Sequence, residues 1–403
     1  MGSFESLTAA VKGGCDAIYF GVEQLNMRTK SVPTITIEDI KEVVDYCHNT
    51  GVQSYLTLNT IVYDYDIQLA RRIVETCKET GVDAIIASDF AVFQLCRSYD
   101  IPLHISTQSN VSNIQSVEFF ASMADVVVLA RELTLSQVEN ITREIERRQI
   151  KGVSGELMKI ECFVHGALCM AISGKCYLSL HEKNASANRG ACVQNCRRPY
   201  KVTDLETGNE LMIDNEYIMS PKDLCTIDFV DDLIGARIDV FKIEGRSKSA
   251  DYVYTTTKCY REAIDAVLDG TYTTEKVEHW KQELDKVYNR GFWEGYYLGR
   301  KLGEWTPNPG SIASEKKIYT GKFTRYYPKI KVAEFEIQSG QLKRGDEIMI
   351  IGRKNGVDKF LLHQFNVNGL PAEKAVKGDK ITFELHTELS PNDKLYKVVT
   401  SDG

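Results

Sequence analysis

The sequence predicts an α/β protein, with a parallel (β/α) barrel of the TIM-like kind over residues 1–305 and a small antiparallel β-barrel over 306–403. Three observations lead there. Through the first 270 residues, short and nearly continuous apolar runs alternate with amphipathic helical stretches. The helices end on a repeated glycine signal. From residue 316 onward the pattern changes to short alternating segments broken by Gly345-Asp346, Gly378-Asp379 and Pro391-Asn392-Asp393.

The helices are read first. Ile40, Val43, Val44 and Cys47 follow i, i+3, i+4, i+7 spacing, as do Ala70, Ile73, Val74 and Cys77 one unit later, so each helix carries one apolar stripe. Thr50-Gly51-Val52 and Thr80-Gly81-Val82 then place glycine where a helix ends in a left-handed residue, with a buried strand after it. Seven strands are expected: Ala17–Phe20, Ser54–Leu58, Ala84–Ala87, Leu103–Ser106, Val126–Leu129, Met158–Phe163 and Val240–Glu244. Apolar runs of this kind suit strands covered on both faces, and about eight such units close into a barrel. A doubly wound open sheet is the alternative. No G-x-G-x-x-G follows a strand, which weighs against it.

In a barrel the chemistry sits at the carboxyl ends of the strands. Those ends are polar here: Asn59, Ser88-Asp89, Thr107-Gln108, Arg131-Glu132, His165 and Glu244-Gly245-Arg246. Ser88 and Asp89 read as helix caps. Pro307-Asn308-Pro309-Gly310 reads as a linker, and the segment beyond it looks like the second-domain barrel of translation elongation factors, a likeness of fold that carries no function.

Composition narrows the function classes. Hydrophobic residues at 43% and charged residues at 26% exclude a disordered or fibrous chain, and no apolar run reaches the ~18 residues of a membrane span. Met1-Gly2-Ser3-Phe4-Glu5 lacks the basic and apolar regions of a secretory signal, so the cytoplasm is the expected compartment. A net charge of −7 argues against nucleic-acid binding by bulk electrostatics. A local footprint remains, because Lys175, Lys183, Arg189, Arg197, Arg198 and Lys201 face a single acid, Glu182.

Six of the eleven cysteines fall between Cys162 and Cys225, and in a reducing compartment such clustering reads as metal binding. Cys169 and Cys176 stand seven apart, Cys192 follows by sixteen and Cys196 by four more, with Cys225 downstream. Four thiolates can hold a [4Fe–4S] cluster or a structural zinc ion. The spacing favours the cluster, since only Cys192 and Cys196 resemble a zinc knuckle. Cys15, Cys47, Cys77, Cys96, Cys162 and Cys259 read as core residues.

The segment from Glu161-Cys162-Phe163-Val164-His165-Gly166 through Cys169 and Cys176 to Ser179 resembles the signature of the collagenase-like unassigned-peptidase family. The resemblance extends to Asn188-Arg189-Gly190-Ala191-Cys192, Met219-Ser220-Pro221-Lys222-Asp223-Leu224, Phe241-Lys242-Ile243-Glu244-Gly245-Arg246 and Asn289-Arg290-Gly291-Phe292. It implies an oxygen-independent, prephenate-dependent hydroxylase with a [4Fe–4S] cluster. The tRNA branch, which makes 5-hydroxyuridine at the wobble position in the anticodon loop, is the nearest in domain layout. Peptidase activity and 23S rRNA cytidine hydroxylation are the alternatives, and no H-E-x-x-H or G-x-S-x-G supports the first. Relative to the family pattern the first barrel strand is missing before Gly2, which leaves an unpaired strand edge.

Cys169, Cys176 and Cys192 are the firm cluster ligands, and the fourth is Cys196 or Cys225, with Cys196 preferred because it shares a loop with Cys192. Prephenate is a dicarboxylate and calls for guanidinium forks, for which Arg131, Arg246 and Arg261 are the candidates, with Arg189 nearer the cluster or RNA. Glu132 and Glu244 are possible ion-pair partners of the first two. His165, Glu161 and Glu244 are candidate acids or bases, and Gln108 and Asn110 are candidates to orient the substrate. Tyr177 and Tyr200 are candidate platforms for a stacked base. Partner subunits and oligomeric state are left open.

Overall fold

The structure, a computed structural model, describes residues 1–27, 35–199, 202–203, 205–208, 210–211, 219–299, 304–306 and 310–401. Tyr200, Lys201 and the Pro307-Asn308-Pro309 part of the linker lie outside them.

The first unit alternates helix and strand: α1 (Phe4–Lys12), β1 (Ala17–Phe20), α2 (Ile40–Asn49), β2 (Gln53–Leu58), α3 (Ile67–Thr80), β3 (Ala84–Ala87), α4 (Phe90–Ser98), β4 (Leu103–Ile105), α5 (Ile114–Ala121), β5 (Val126–Val128), α6 (Leu135–Arg148) and β6 (Lys159–Ala167). Helix ends behave as the glycine signals require. Gly51 and Gly81 take φ of 72° and 79°, a left-handed conformation that other residues adopt at a cost. The insertion follows with α7 (Leu178–Lys183), β7 (Val202–Thr203) and β8 (Glu210–Leu211). Then come β9 (Asp223–Cys225), α8 (Val230–Gly235), β10 (Val240–Ile243), α9 (Ala250–Leu268), α10 (Thr274–Lys286) and β11 (Phe292–Trp293).

Strands β1 to β6 lie side by side in chain order, all parallel, and β10 pairs parallel to β6. Consecutive order has no switch point, so right-handed crossovers place every helix on one face and the sheet curls. The curl brings its far edges together, because the Tyr19 hydroxyl on β1 donates to the Ile243 carbonyl of β10 at 3.1 Å. No strand ladder joins those two edges among the described residues, so the sheet curls in TIM-like fashion without a closed ring of pairing.

Two features depart from the expected strands. β6 runs to Ala167, so His165 lies inside the strand rather than at its end. β9 pairs antiparallel to β6, with His165 opposite Cys225, in a sheet expected to be wholly parallel.

The second unit is an antiparallel sheet built from β12 (Glu315–Tyr327), β13 (Val332–Ile337), β14 (Gln341–Lys343), β15 (Glu347–Gly352), β16 (Gly356–Leu361), β17 (Phe365–Val367), β18 (Leu370–Ala372), β19 (Lys374–Val376), β20 (Lys380–Glu384) and β21 (Lys394–Thr400). Eight of these strands follow the order β16-β15-β21-β12-β13-β20-β17-β18, and β14 pairs with β19 alone. Phe335, Ile348, Ile350, Ile381 and Leu395 fill its own core. It packs on the first unit through Ala9, Ala250, Met349, Val357 and Val398. Gly356 permits the approach: at φ +65°, a Cβ there would stand 2.8 Å from the Ala9 nitrogen.

Candidate active site

A cavity of about 470 Å³ opens at the carboxyl ends of the strands, between the sheet and the cysteine-bearing insertion. Its wall draws Thr57 and Asn59 from the end of β2, Gln108 from the turn after β4, Arg131 from the turn after β5, and Glu244 and Arg246 from the end of β10. Gln108 joins sheet and insertion. Its side-chain oxygen accepts from Asn59 Nδ2 at 3.2 Å, and its Nε2 donates to Ser173 Oγ at 3.4 Å. Gly174, at φ +77°, lets the insertion lie down on this residue, because a Cβ there would reach Gln108 Cγ at 3.3 Å.

Cys169, Cys176, Cys192 and Cys196 all stand on the same wall. Their loop is pinned by side chains. Ser179 Oγ accepts from the Val193 amide at 3.0 Å, Asn195 Nδ2 donates to the Leu178 carbonyl at 3.3 Å, and Arg197 donates to Leu168 O, Ser220 Oγ and Pro221 O at 2.6–2.8 Å. Burial pushes the Cys196 thiol up, the Arg197 guanidinium opposes that, and Cys169, Cys192 and Cys176 add to it. The Cys196 sulfur is therefore within electrostatic reach of the other three. Among the described residues no three His, Cys, Asp or Glu side chains are gathered closely enough to hold one metal ion. As a donor set, four thiols around one cavity suit a cluster, which attaches each thiolate to a separate iron.

Cys225 is elsewhere. It is buried in β9, its Sγ accepts from the Tyr260 hydroxyl at 3.8 Å, and burial pushes its thiol up to about 11. It is off the cavity wall, which leaves Cys196 as the fourth thiol of the group.

Electrostatically the wall is one-sided. Arg131, Arg197, Lys242, Arg246, Lys248 and Arg290 face it, with Glu244 as its single acid among the described residues. Arg246 is held by Thr57 Oγ1 at 3.1 Å and by Asn26 Oδ1, and its own amide donates to Glu244 Oε1 at 3.2 Å. Arg131 lies with its guanidinium 3.8 Å from the Phe163 ring centroid and donates to the Ala167 carbonyl at 3.2 Å. Glu244 Oε2 accepts from the Tyr19 hydroxyl at 3.4 Å. Such an array attracts anions with planar, bidentate acid groups.

Several expected site residues stand apart from this wall. His165 is buried against Tyr252, Tyr260 and Phe292, with Nδ1 3.3 Å from the Tyr260 hydroxyl, and burial pushes it down to about 3, so it stays a neutral packing residue near neutral pH. Glu161 is committed to a buried ion pair with Lys242 at 2.5 Å. Asn110 closes the turn after β4 at φ 57°, and Glu132 points to solvent. Arg189 ties the insertion to the loop after β2 through Asp66 at 2.5 Å and the Tyr63 ring at 4.0 Å. Arg261 sits on the outer side of α9, paired with Asp16 and Asp265 at 3.2–3.3 Å. Tyr177 is exposed on the insertion. Lys242, Lys248 and Arg290 were not among the expected ligand contacts, and Arg197 was expected only as part of the basic footprint. Lys242 had a signal: strand alternation puts it on the same face as Glu244.

Residues 2–307 match Peptidase family U32. The chain belongs to that family. Its relatives carry two kinds of name. A "Collagenase" of Porphyromonas gingivalis is 50% identical over 98% of this chain and 96% of its own length. A "tRNA hydroxylation protein P1" of Bacillus subtilis is 31% identical over 87% of this chain and 82% of its own. A "23S rRNA 5-hydroxycytidine C2501 synthase" of Escherichia coli is 33% identical over 73% of this chain and 44% of its own. The U32 match spans the curled sheet, the insertion and the whole cavity wall. No described helix is long and apolar enough to cross a membrane.

Proposed function

We propose that the protein is an RNA hydroxylase that forms 5-hydroxyuridine at the wobble position of tRNA, with prephenate as co-substrate and a [4Fe–4S] cluster as cofactor. The observation that carries the proposal is the composition of one cavity wall, where four thiols and six cations meet a single carboxylate. Cys169, Cys176, Cys192 and Cys196 would hold the cluster, which when bound supplies one-electron transfer beside the anion site. Arg246 and Arg131, fixed by Thr57, Asn26 and Ala167, are the forks for the two carboxylates, and Gln108 orients the ligand between barrel and insertion. An unpaired base from an RNA loop can enter where the exposed Tyr177 offers a ring for stacking. The hydroxylation names among the relatives support RNA as the substrate class.

The collagenase name of the 50% relative favours a peptidase as the second reading. A cysteine peptidase needs a thiolate stabilised by a neighbouring imidazole. Here His165 bonds to Tyr260, and the Cys196 thiol is pushed up rather than down.

Anaerobic purification should yield a brown protein with about four irons per chain. A strain lacking the gene should lose 5-hydroxyuridine from its tRNA, read by nucleoside mass spectrometry. Unchanged tRNA with altered 23S rRNA would move the activity to ribosomal cytidine. Unchanged RNA of both kinds, with collagen cleavage lost, would establish the peptidase instead.

A further inference from the structure

One cation on the cavity wall is without a task in this reading. Lys248 stands two residues beyond Arg246, before α9. Its Nζ is shut away from solvent and meets no hydrogen-bond acceptor. It lies 3.7 Å from the ring centroid of Tyr288 and 4.9 Å from that of Tyr252. Neighbouring cations are already engaged: Arg290 with Asp223 Oδ1 at 3.3 Å, Lys242 with Glu161, and Arg197 with Ser220 and two carbonyls.

The surroundings disfavour an ammonium. Burial pushes Lys248 down to about 8; Asp223 and Glu244 pull the other way, and Arg290 and Arg197 add to the fall. A desolvated amine beside guanidinium groups is the setting in which lysine becomes a nucleophile toward carbonyls.

We propose that Lys248 forms an imine with the carbonyl of a 2-oxo acid bound in the cavity, whose carboxylate Arg131 and Arg246 of the same wall hold. The inference rests on the reading that this cavity takes a carboxylate ligand, and prephenate is itself a 2-oxo acid. Nζ turns from the Tyr288 ring into the cavity on its flexible four-carbon stem. Its lone pair adds to the carbonyl carbon, forming the C–N bond, while the carbonyl oxygen takes one proton. Loss of that hydroxyl with a second proton, as water, gives the C=N bond. Both protons of the water come from the amine, so nothing is oxidised or reduced. Glu244 is the carboxylate on the same wall able to pass them.

The test uses the full-length, metal-loaded protein with phenylpyruvate and sodium cyanoborohydride, followed by intact mass and peptide mapping. Phenyllactate, which keeps the carboxylate but lacks the carbonyl, is the control ligand, and calorimetry measures binding of both. The expected result is one reduced phenylpyruvate adduct per chain on the peptide containing Lys248, with yield rising between pH 7 and 9. Lys248→Arg and Lys248→Met should each lower trapping at least tenfold, with folding checked by circular dichroism. Phenylpyruvate and phenyllactate binding without trapping at Lys248 would overturn the imine and leave the carboxylate site standing. Equal trapping in Lys248→Arg would also overturn it. Failure of both acids to bind would overturn the imine and the carboxylate reading together.

Discussion

Lys242→Met should destabilise the first unit by about 3–5 kcal/mol, because it strands a carboxylate in the interior. The pair it breaks has side-chain exposures of 8% for Lys242 and 4% for Glu161, with nitrogen and oxygen 2.5 Å apart. At an effective dielectric near 20, unit charges at that separation attract by roughly 7 kcal/mol, and desolvating two ions costs several kcal/mol each, so the intact pair is close to neutral. Its removal is not symmetrical. Glu161 shares its surroundings with Tyr55 and His104 and is off the cavity wall, whereas Lys242 is on it. Glu161→Gln leaves a cation that cavity water can reach, and should cost only about 1–2 kcal/mol. The double variant Lys242→Met, Glu161→Gln should fall within about 2 kcal/mol of the parent, a coupling of at least ~2 kcal/mol. Urea unfolding at pH 7.5 read by tryptophan fluorescence measures this on the right unit, since all three tryptophans lie at or before Trp305. A loss below about 1 kcal/mol for Lys242→Met, additive with that of Glu161→Gln, would refute the claim that the pair is dry.

Other outcomes follow from the same geometry. His165 is lowered by burial to about 3, below its unfolded value, so its contribution is complete above about pH 6.5 and is lost as pH falls toward 3. His165→Leu should therefore move acid unfolding to lower pH in a fluorescence titration, only in part because His104, lowered to about 4, titrates over an overlapping window. Gly356→Ala sets a Cβ against the Ala9 backbone at 2.8 Å and fixes an alanine at φ +65°, so it should cost about 1–3 kcal/mol and speed proteolytic separation of the two units. Iron content after anaerobic purification should drop at least severalfold in Cys196→Ser and stay unchanged in Cys225→Ser, because only the first thiol faces the cavity.

What was legible in the sequence was whatever local chemistry decides. Ala17–Phe20 and Ala84–Ala87 are strands at the expected bounds, since a helix, a left-handed glycine and an apolar run follow one another within a few residues. β9 and β11 were not legible: three and two residues long, they exist through pairing with β6 and with each other, and nothing local announces that. Cys225 was left open as an alternative to Cys196 for the same reason, as a cysteine beside polar residues reads alike on a loop and on a short buried strand.

The site divides along the same line. Gln108, Arg131, Glu244 and Arg246 end parallel strands, and strand direction alone carries them to one mouth. Arg261 shows the limit of reasoning from residue type. It is an arginine near acids, as Arg246 is, yet it lies within α9 where Asp265, one turn away, and Asp16 neutralise it at the surface. Lys248 shows the converse. Its burial depends on Tyr252, four residues on, and on Tyr288, forty residues on, so a sequence window around it displays only an ordinary polar turn. A cation's role in this curled sheet is thus set less by its neighbours in the chain than by which end of which strand delivers it, and by whether an acid arrives with it.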